Sequence, residues 1–329
     1  FGPAQEEFRG EVRAWMAAHV PSQPVPTEEG AQVAFLSAWQ ARLADADYVG
    51  THWPIEYGGR GLGWSEHFIV QEELALARAP EIINRIGVNL VGPVLIAYGT
   101  EQQKSRHLRA ILRADDLWCQ LFSEPDAGSD LRSLQTTATK VPGGWEVTGQ
   151  KVWSSWAHYA RYGVLLARTD TYTKTPGTIG YFVLDMDQPG VETRSLRQLT
   201  GDTDFCEVFL DRAHIPDDGV IGDPAEGWRI MRTTLNYERS VSPRQLITHA
   251  NLLTELLDQA RTTELTPMQR QRLARAYSEL TIYRLHLYRV LTSLGRGEAP
   301  TSWSSVIKLF WSQMAQRMHE LSVDLLAPG

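Results

Sequence analysis

The segment LFSEPDAGSD, residues 121–130, brings two hydroxyls, three acids, a proline and a glycine together directly behind an apolar run. Pro125 fixes its own φ, Gly128 is free to take a positive φ, and Ser123 and Ser129 carry hydroxyls. Such a loop can hold donors toward a bound group. The same composition also serves an ordinary turn, so these residues alone leave both readings open.

The elements around that segment fall into three stretches. From Glu6 to about Arg113 the apolar spacing is mostly helical, as where Val70, Leu74 and Ala77 fall at i, i+4 and i+7. The glycine-rich WPIEYGGRGLG, residues 53–63, does not match GxGxxG and follows no clear strand, so it reads as a connection between helices. Near Asp116 the character changes. LWCQLFS, GWEVTGQKVW, YGVLLAR, TIGYFVL, VETRSLRQ and FCEVFLD are short β-forming runs separated by Pro, Gly, Asp and Thr. With no helices between them, they predict an antiparallel barrel or sandwich in preference to a parallel dinucleotide-binding sheet.

Helical spacing returns after about Pro224. Thr266 is the predicted N-cap of a helix with Pro267 at N1 and Gln269 at N3, and Leu273, Tyr277, Leu280, Leu287 and Leu291 are assigned to one face. Ile307, Phe310, Met314, Met318, Leu321 and Leu325 form a second stripe, read as bundle core or subunit interface. The expected fold class is therefore α+β: a helical domain over 1–115, a β domain over 116–222 and a helical bundle over 223–329.

Composition narrows the function classes. With 329 residues, 43% hydrophobic and 22% charged, the chain can bury a large core and is not a disordered segment. A net charge of −7 without a dense Lys/Arg stripe argues against nucleic acid as a partner. Cys119 and Cys206 supply neither a disulfide framework nor a CxxC metal site, which fits a reducing cytoplasm, and no metal is expected. No apolar run approaches the roughly 20 residues that span a bilayer, so no membrane partner is expected. The chain starts without Met and stops at LLAPG, which reads as a piece of a longer protein.

The order helices, β runs, helices, with SEPDAGSD followed about twenty residues later by GGWEVTGQKVWSSWA, resembles the acyl-CoA dehydrogenase family. WPIEYGGRG before these motifs and EGWRIMRTTLNYERS after them are similar to the family as well, and the resemblance covers nearly the whole chain. It implies FAD-dependent α,β-desaturation of an acyl-CoA thioester, with electrons leaving to an electron-transfer flavoprotein or an equivalent acceptor. By motif match Phe122 and Ser123 border the isoalloxazine, and Gly128 and Ser129 offer N–H and hydroxyl groups to the pyrophosphate. By the same match Trp153 and Ser155 are expected to flank the flavin ring and bond its edge. Without the resemblance, Trp153 reads as a core aromatic.

The resemblance also implies a base for the α-proton while the β-hydrogen leaves as hydride to flavin N5. Glu238, in NYERS, stands at one of the two positions where the family places this glutamate, and the chain ends before the other. Arg239 matches the arginine beside the base, with a role in CoA binding or in holding the site's charge. Pro243 cannot donate to the Arg239 carbonyl, so the helix is expected to kink or restart there.

Two family segments are not recognisable. An Arg-x-x-Phe-Gly stretch is replaced by ARTTELTPMQRQ, and no late Gln-x-x-Gly-Gly stretch precedes Gly329. Either another subunit supplies these contacts, as in the heteromeric acyl-CoA dehydrogenases that actinobacteria use on steroid side chains, or the remaining C-terminus does. A homo- or hetero-oligomer, dimer or tetramer, is expected on either account. A non-catalytic partner subunit and a flavin oxidase or monooxygenase of the same fold are the alternative functions.

Overall fold

The computed structural model describes residues 1–170, 178–238, 243–298 and 303–326. The chain forms two compact units, each assembled from separate stretches of sequence.

The first unit takes residues 1–24, 61–80 and 239–329. It holds α1 (Pro3–His19), α3 (Trp64–Leu76), α7 (Pro243–Thr262), α8 (Pro267–Gly295) and α9 (Trp303–Leu326). Helix α8 begins as its sequence dictates: Thr266 Oγ1 accepts from the N–H of Gln269 at 3.2 Å, and Gln269 Oε1 accepts from the N–H of Thr266 at 3.0 Å. Its buried stripe is Leu273, Ala276, Leu280, Tyr283 and Leu287. These residues pack with Leu246, Leu253 and Leu256 of α7 and with Ile307, Met314, Met318 and Leu321 of α9. Tyr277 corrects the expected face, because it is 62% exposed. Its neighbour Ala276 takes the core position, which lets α7 and α9 approach α8. Arg9 and Arg13 of α1 bind Glu73 of α3 at 3.0 and 2.8 Å, and Arg9 also binds Glu72 at 2.8 Å.

The second unit takes residues 25–60 and 81–238. It holds α2 (Glu29–Asp45), α4 (Gly92–Tyr98), α5 (Glu101–Arg113) and α6 (Gly227–Glu238) with one seven-stranded sheet. The strands are β1 (Trp118–Leu121), β2 (Thr137–Val141), β3 (Gly144–Ser155), β4 (Tyr162–Arg168), β5 (Ile179–Asp185), β6 (Val191–Leu196) and β7 (Phe205–Pro216). They run in the order β1-β4-β2-β3-β7-β6, and β5 also pairs with β4. This corrects the antiparallel expectation. The sheet is mixed, because β1 lies parallel to β4 over four residue pairs and Thr137 of β2 pairs in parallel with Arg168 of β4. Between β1 and β4 the chain has room for the crossover that parallel neighbours require, and β2 and β3 occupy it.

Buried polar side chains fasten the loops of this unit. Gln40 of α2 donates to the carbonyls of Ile111 and Leu112 at 3.0 Å each, and its oxygen accepts from Asn84 N–H at 2.9 Å. Asn84 in turn donates to Ile111 and Asp116 and accepts from the N–H of Trp118, where β1 begins. Arg168 binds the carbonyls of Leu134 and Arg132, holding the stretch that follows the LFSEPDAGSD segment. Cys119 and Cys206 are free and buried. Among the described residues, no helix is long and apolar enough to cross a membrane, and no group of three or more His, Cys, Asp or Glu side chains could hold a metal ion.

Candidate active site

Strand β1 ends at Leu121, and the chain turns at once. Glu124 and Ala127 exchange two backbone hydrogen bonds at 2.9 and 3.1 Å, which puts Pro125 and Asp126 at an exposed tip. The entry to this turn is sewn to β3. Val152 N–H donates to the Ser123 carbonyl at 2.9 Å, and Lys151 Nζ donates to the Phe122 carbonyl at 3.1 Å and to Glu124 Oε1 at 2.8 Å. The Glu124 carboxylate also accepts from the N–H groups of Gln135 at 2.5 Å and Thr136 at 3.0 Å.

Lys151 is wholly buried. Burial pushes its ammonium down to about 8, against the opposing pull of Glu124. Burial acts the other way on Glu124, yet the charge and hydrogen bond of Lys151 with the donors at Thr136 and Gln135 outweigh it, leaving the carboxyl below its ordinary range. Both groups are therefore ionised near neutral pH, and each is satisfied by the other.

Beyond Lys151 the pairing of β3 with β7 is irregular up to Ser154. Trp153 sits in this bulge at φ +59°, and Trp156 follows at φ +56°. Left-handed backbone costs an L-residue about 1–2 kcal/mol, and a bulky aromatic there is a true outlier. Trp153 is also 61% exposed, meeting Phe205 edge to face with ring centroids 6.0 Å apart. It is not a core aromatic. Ser155 is half-buried, and the Ser154 hydroxyl is buried with no hydrogen-bond partner among the described residues. The turn after β3 is tied down by His158, whose Nδ1 lies 3.0 Å from Cys206 Sγ and whose Nε2 lies 2.5 Å from Glu29 Oε1.

Gly128 does not use the positive φ that its type allows. A Cβ built there would meet nothing within 4 Å, so the fold itself does not demand glycine at this position. Gly128 and Ser129 are exposed, and their N–H groups bond to no other described residue. The cradle residues thus pair a projecting indole with open backbone and hydroxyl donors. That set suits a planar aromatic group carrying an anionic arm, and FAD has both.

Helix α6 packs against β5 in the same unit. The ring of Phe122, which is buried, stands edge to face on Tyr181 at 5.8 Å, and Tyr181 Oη lies 3.2 Å from Thr234 Oγ1 on α6. Glu238 is the last residue of α6, one turn beyond Thr234. Its side chain and the whole of Arg239 lie outside the described residues, as do residues 240–242. Helix α7 starts at Pro243, where the ring suits the first helical position.

The structure therefore brings Phe122 and Ser123 into contact with β3 near Trp153 and Ser155, with Gly128 and Ser129 on the exposed limb of the same turn. Sequence reasoning passed over Lys151, Glu124, Tyr181 and Thr234. Lys151 and Glu124 lie inside the quoted motifs but among other polar residues, so nothing in the local sequence singled them out.

Three family models match the chain: the acyl-CoA dehydrogenase N-terminal domain over residues 2–115, the middle domain over 119–213 and the C-terminal domain over 225–328. Acyl-CoA dehydrogenase IpdE1 of Mycobacterium tuberculosis is 39% identical over 98% of this chain and 86% of its own length. Acyl-CoA dehydrogenase FadE34 of the same organism is 40% identical over 97% of this chain and 43% of its own length. Among solved structures, the ChsE4-ChsE5 complex from Mycobacterium tuberculosis aligns with a TM-score of 0.83 and 27% identity, over 99% of this chain and 85% of that one. Motifs, domain matches along the length and relatives of this similarity agree with the mixed sheet and its cradle, and the chain belongs to the acyl-CoA dehydrogenase family of oxidoreductases.

Proposed function

We propose that this chain carries out FAD-dependent α,β-desaturation of an acyl-CoA thioester. The observation that carries the reading is the fastening of the donor-bearing turn at residues 122–129 against the bulge that projects Trp153. In this proposal Phe122 and Ser123 border the flavin ring, Trp153 and Ser155 flank it, and Gly128 and Ser129 meet the pyrophosphate. Bound FAD would supply the hydride acceptor. Glu238 is the base that takes the proton from the α-carbon of the thioester. A carboxylate desolvated by the acyl chain has its pKa raised toward neutrality, which suits this task. Arg239 holds the CoA moiety or balances the charge of the base. The segments 1–115, 116–222 and 223–329 are the proposed functional divisions.

The electron acceptor is proposed to be an electron-transfer flavoprotein or an equivalent, in the cytoplasm. A hetero-oligomer is favoured over a homo-oligomer. The missing Arg-x-x-Phe-Gly segment supports this, and so do solved relatives described as a ChsE4-ChsE5 complex and as a Tcur3481-Tcur3483 steroid ACAD. By the same likeness, a CoA thioester with a steroid-type acyl group is the first substrate to try. The test is a screen of acyl-CoAs with an artificial electron acceptor, on FAD-loaded protein with and without candidate partner chains. Turnover that yields the α,β-enoyl product supports the reading. A flavin that stays oxidised with every thioester, partners present, would overturn it.

A further inference from the structure

Lys151 is a fully buried cation whose two hydrogen bonds both go to the turn at residues 122–124. With the bond from Val152 N–H to the Ser123 carbonyl, two consecutive residues of β3 grip three consecutive residues of the turn. Apolar packing could fill this space as well, because a buried ion pair replaced by neutral side chains of similar volume is often neutral or stabilising. What apolar packing lacks is direction. The pair also stands immediately before the irregular stretch of β3, where pairing resumes only at Ser154 and where Trp153 is held at φ +59°. Strained backbone of this kind persists only where its surroundings over-determine it. Lys151 anchors one side of the bulge, and the Ser154↔Cys206 and Ser155↔Phe205 pairings anchor the other.

We propose that Lys151 and Glu124 form a positioning pair that sets the cofactor cradle: together with the Val152 N–H on the Ser123 carbonyl it fixes residues 122–124 against β3, and it keeps Trp153 in its left-handed, exposed conformation. Neither side chain acts on substrate. The inference rests on the flavin reading of the turn, so one of its two tests does not involve flavin.

Lys151→Met alone strands the Glu124 carboxylate, so the decisive protein is the neutral pair, Glu124→Gln with Lys151→Met, prepared as the full chain in its natural assembly. Thermal unfolding establishes that it folds. FAD affinity is then measured by fluorescence titration of apoprotein, and acrylamide quenching of Trp153 is isolated by subtracting the Trp153→Phe counterpart of each protein. The positioning role predicts FAD affinity lower by about tenfold or more, on the scale of lost supporting contacts around a bound group. It also predicts that Trp153 becomes markedly less quenchable. A folded neutral pair that binds FAD within about twofold of wild type, well inside that tenfold scale, and leaves Trp153 equally quenchable would reduce the two residues to packing. If wild type itself takes no FAD, the flavin reading fails and the quenching comparison alone decides the positioning role.

Discussion

The two units of the molecule fix their parts by different means. In the helical unit the central cluster is apolar, with Leu246, Leu253, Leu280, Leu287, Met314 and Met318 meeting along stripes, and its buried carboxylates Glu73 and Glu279 pair with more exposed arginines. In the sheet unit, Gln40, Asn84, Glu124, Lys151 and Arg168 are buried, and most of their hydrogen bonds go to backbone groups in loops and at the ends of helices and strands. Helices that carry an apolar stripe need little more than area to find their neighbours. Loops that must hold donors at fixed points need bonds with direction, and a buried polar group enforces them because leaving it unpaired is costly.

That contrast can be broken at its strongest point first. Lys151→Met alone should destabilise the protein by about 3–5 kcal/mol, since it leaves an uncompensated buried carboxylate, and adding Glu124→Gln should recover most of the loss. Denaturant unfolding of wild type, single and double variants checks this, and a double variant no better than the single one would contradict it. On the apolar side, Leu287→Ala should cost about 2–5 kcal/mol in the same assay while leaving FAD affinity unchanged, because its cavity lies in the bundle core. A loss of affinity there would show that the two kinds of fastening are not separate.

Glu238→Gln is expected to sharpen the contrast from the chemical side. Flavin reduction by a saturating acyl-CoA, followed by stopped flow, should slow by about 10² or more, with binding and stability nearly unchanged. A near wild-type rate would move the base beyond Gly329 or onto a partner chain. Removing the N-cap hydroxyl of α8 with Thr266→Ala should cost only about 1 kcal/mol and nothing in cofactor binding, as thermal melts and FAD titration can establish.

The smallest effect at neutral pH appears on acidification. Glu124 and Glu73 are both held below their ordinary carboxylate value of 4.5. For each, burial opposes the shift and is outweighed, by Lys151 with backbone donors for Glu124 and by Arg13 and Arg9 for Glu73. A depressed folded pKa contributes stability that is present above 4.5 and is lost as pH falls through the folded value. Stability measured against pH should therefore drop less steeply below 4.5 for the double variant, Glu124→Gln with Lys151→Met, than for wild type. Equal slopes would mean that Glu124 is not the group being lost.

Much of the architecture was legible in local pattern. Six of the strands coincide with runs of β-formers, and the α8 start follows from Thr266, Pro267 and Gln269. Strand β2 was missed because TATKV carries two threonines and a lysine with little apolar content. The parallel pairing of β1 with β4 escaped because pairing direction is decided by partners some forty residues apart, which no local period records. Tyr277 and Ala276 show the limit of a helical period, since residues one position apart both fit a broad stripe.

At the site, the tight turn itself was legible from its composition. What holds it was not: Glu124 and Lys151 are 27 residues apart and look, residue by residue, like solvated charges. The left-handed backbone of Trp153 was equally hidden, because positive φ is signalled by Gly or Asn and here falls on an indole.

Among the described residues, strand β6 closes one end of the sheet path, with only β7 beside it. A free strand edge is a template on which other chains can stack into fibrils. Here Glu192 and Arg194 are exposed on that strand and pair with each other at 2.8 Å, while the Arg194 guanidinium covers the Phe209 ring at 4.6 Å. A second chain adding there would have to strip water from both charges and uncover an aromatic ring. The edge is thereby guarded against aggregation, and the guard consists of two charged side chains.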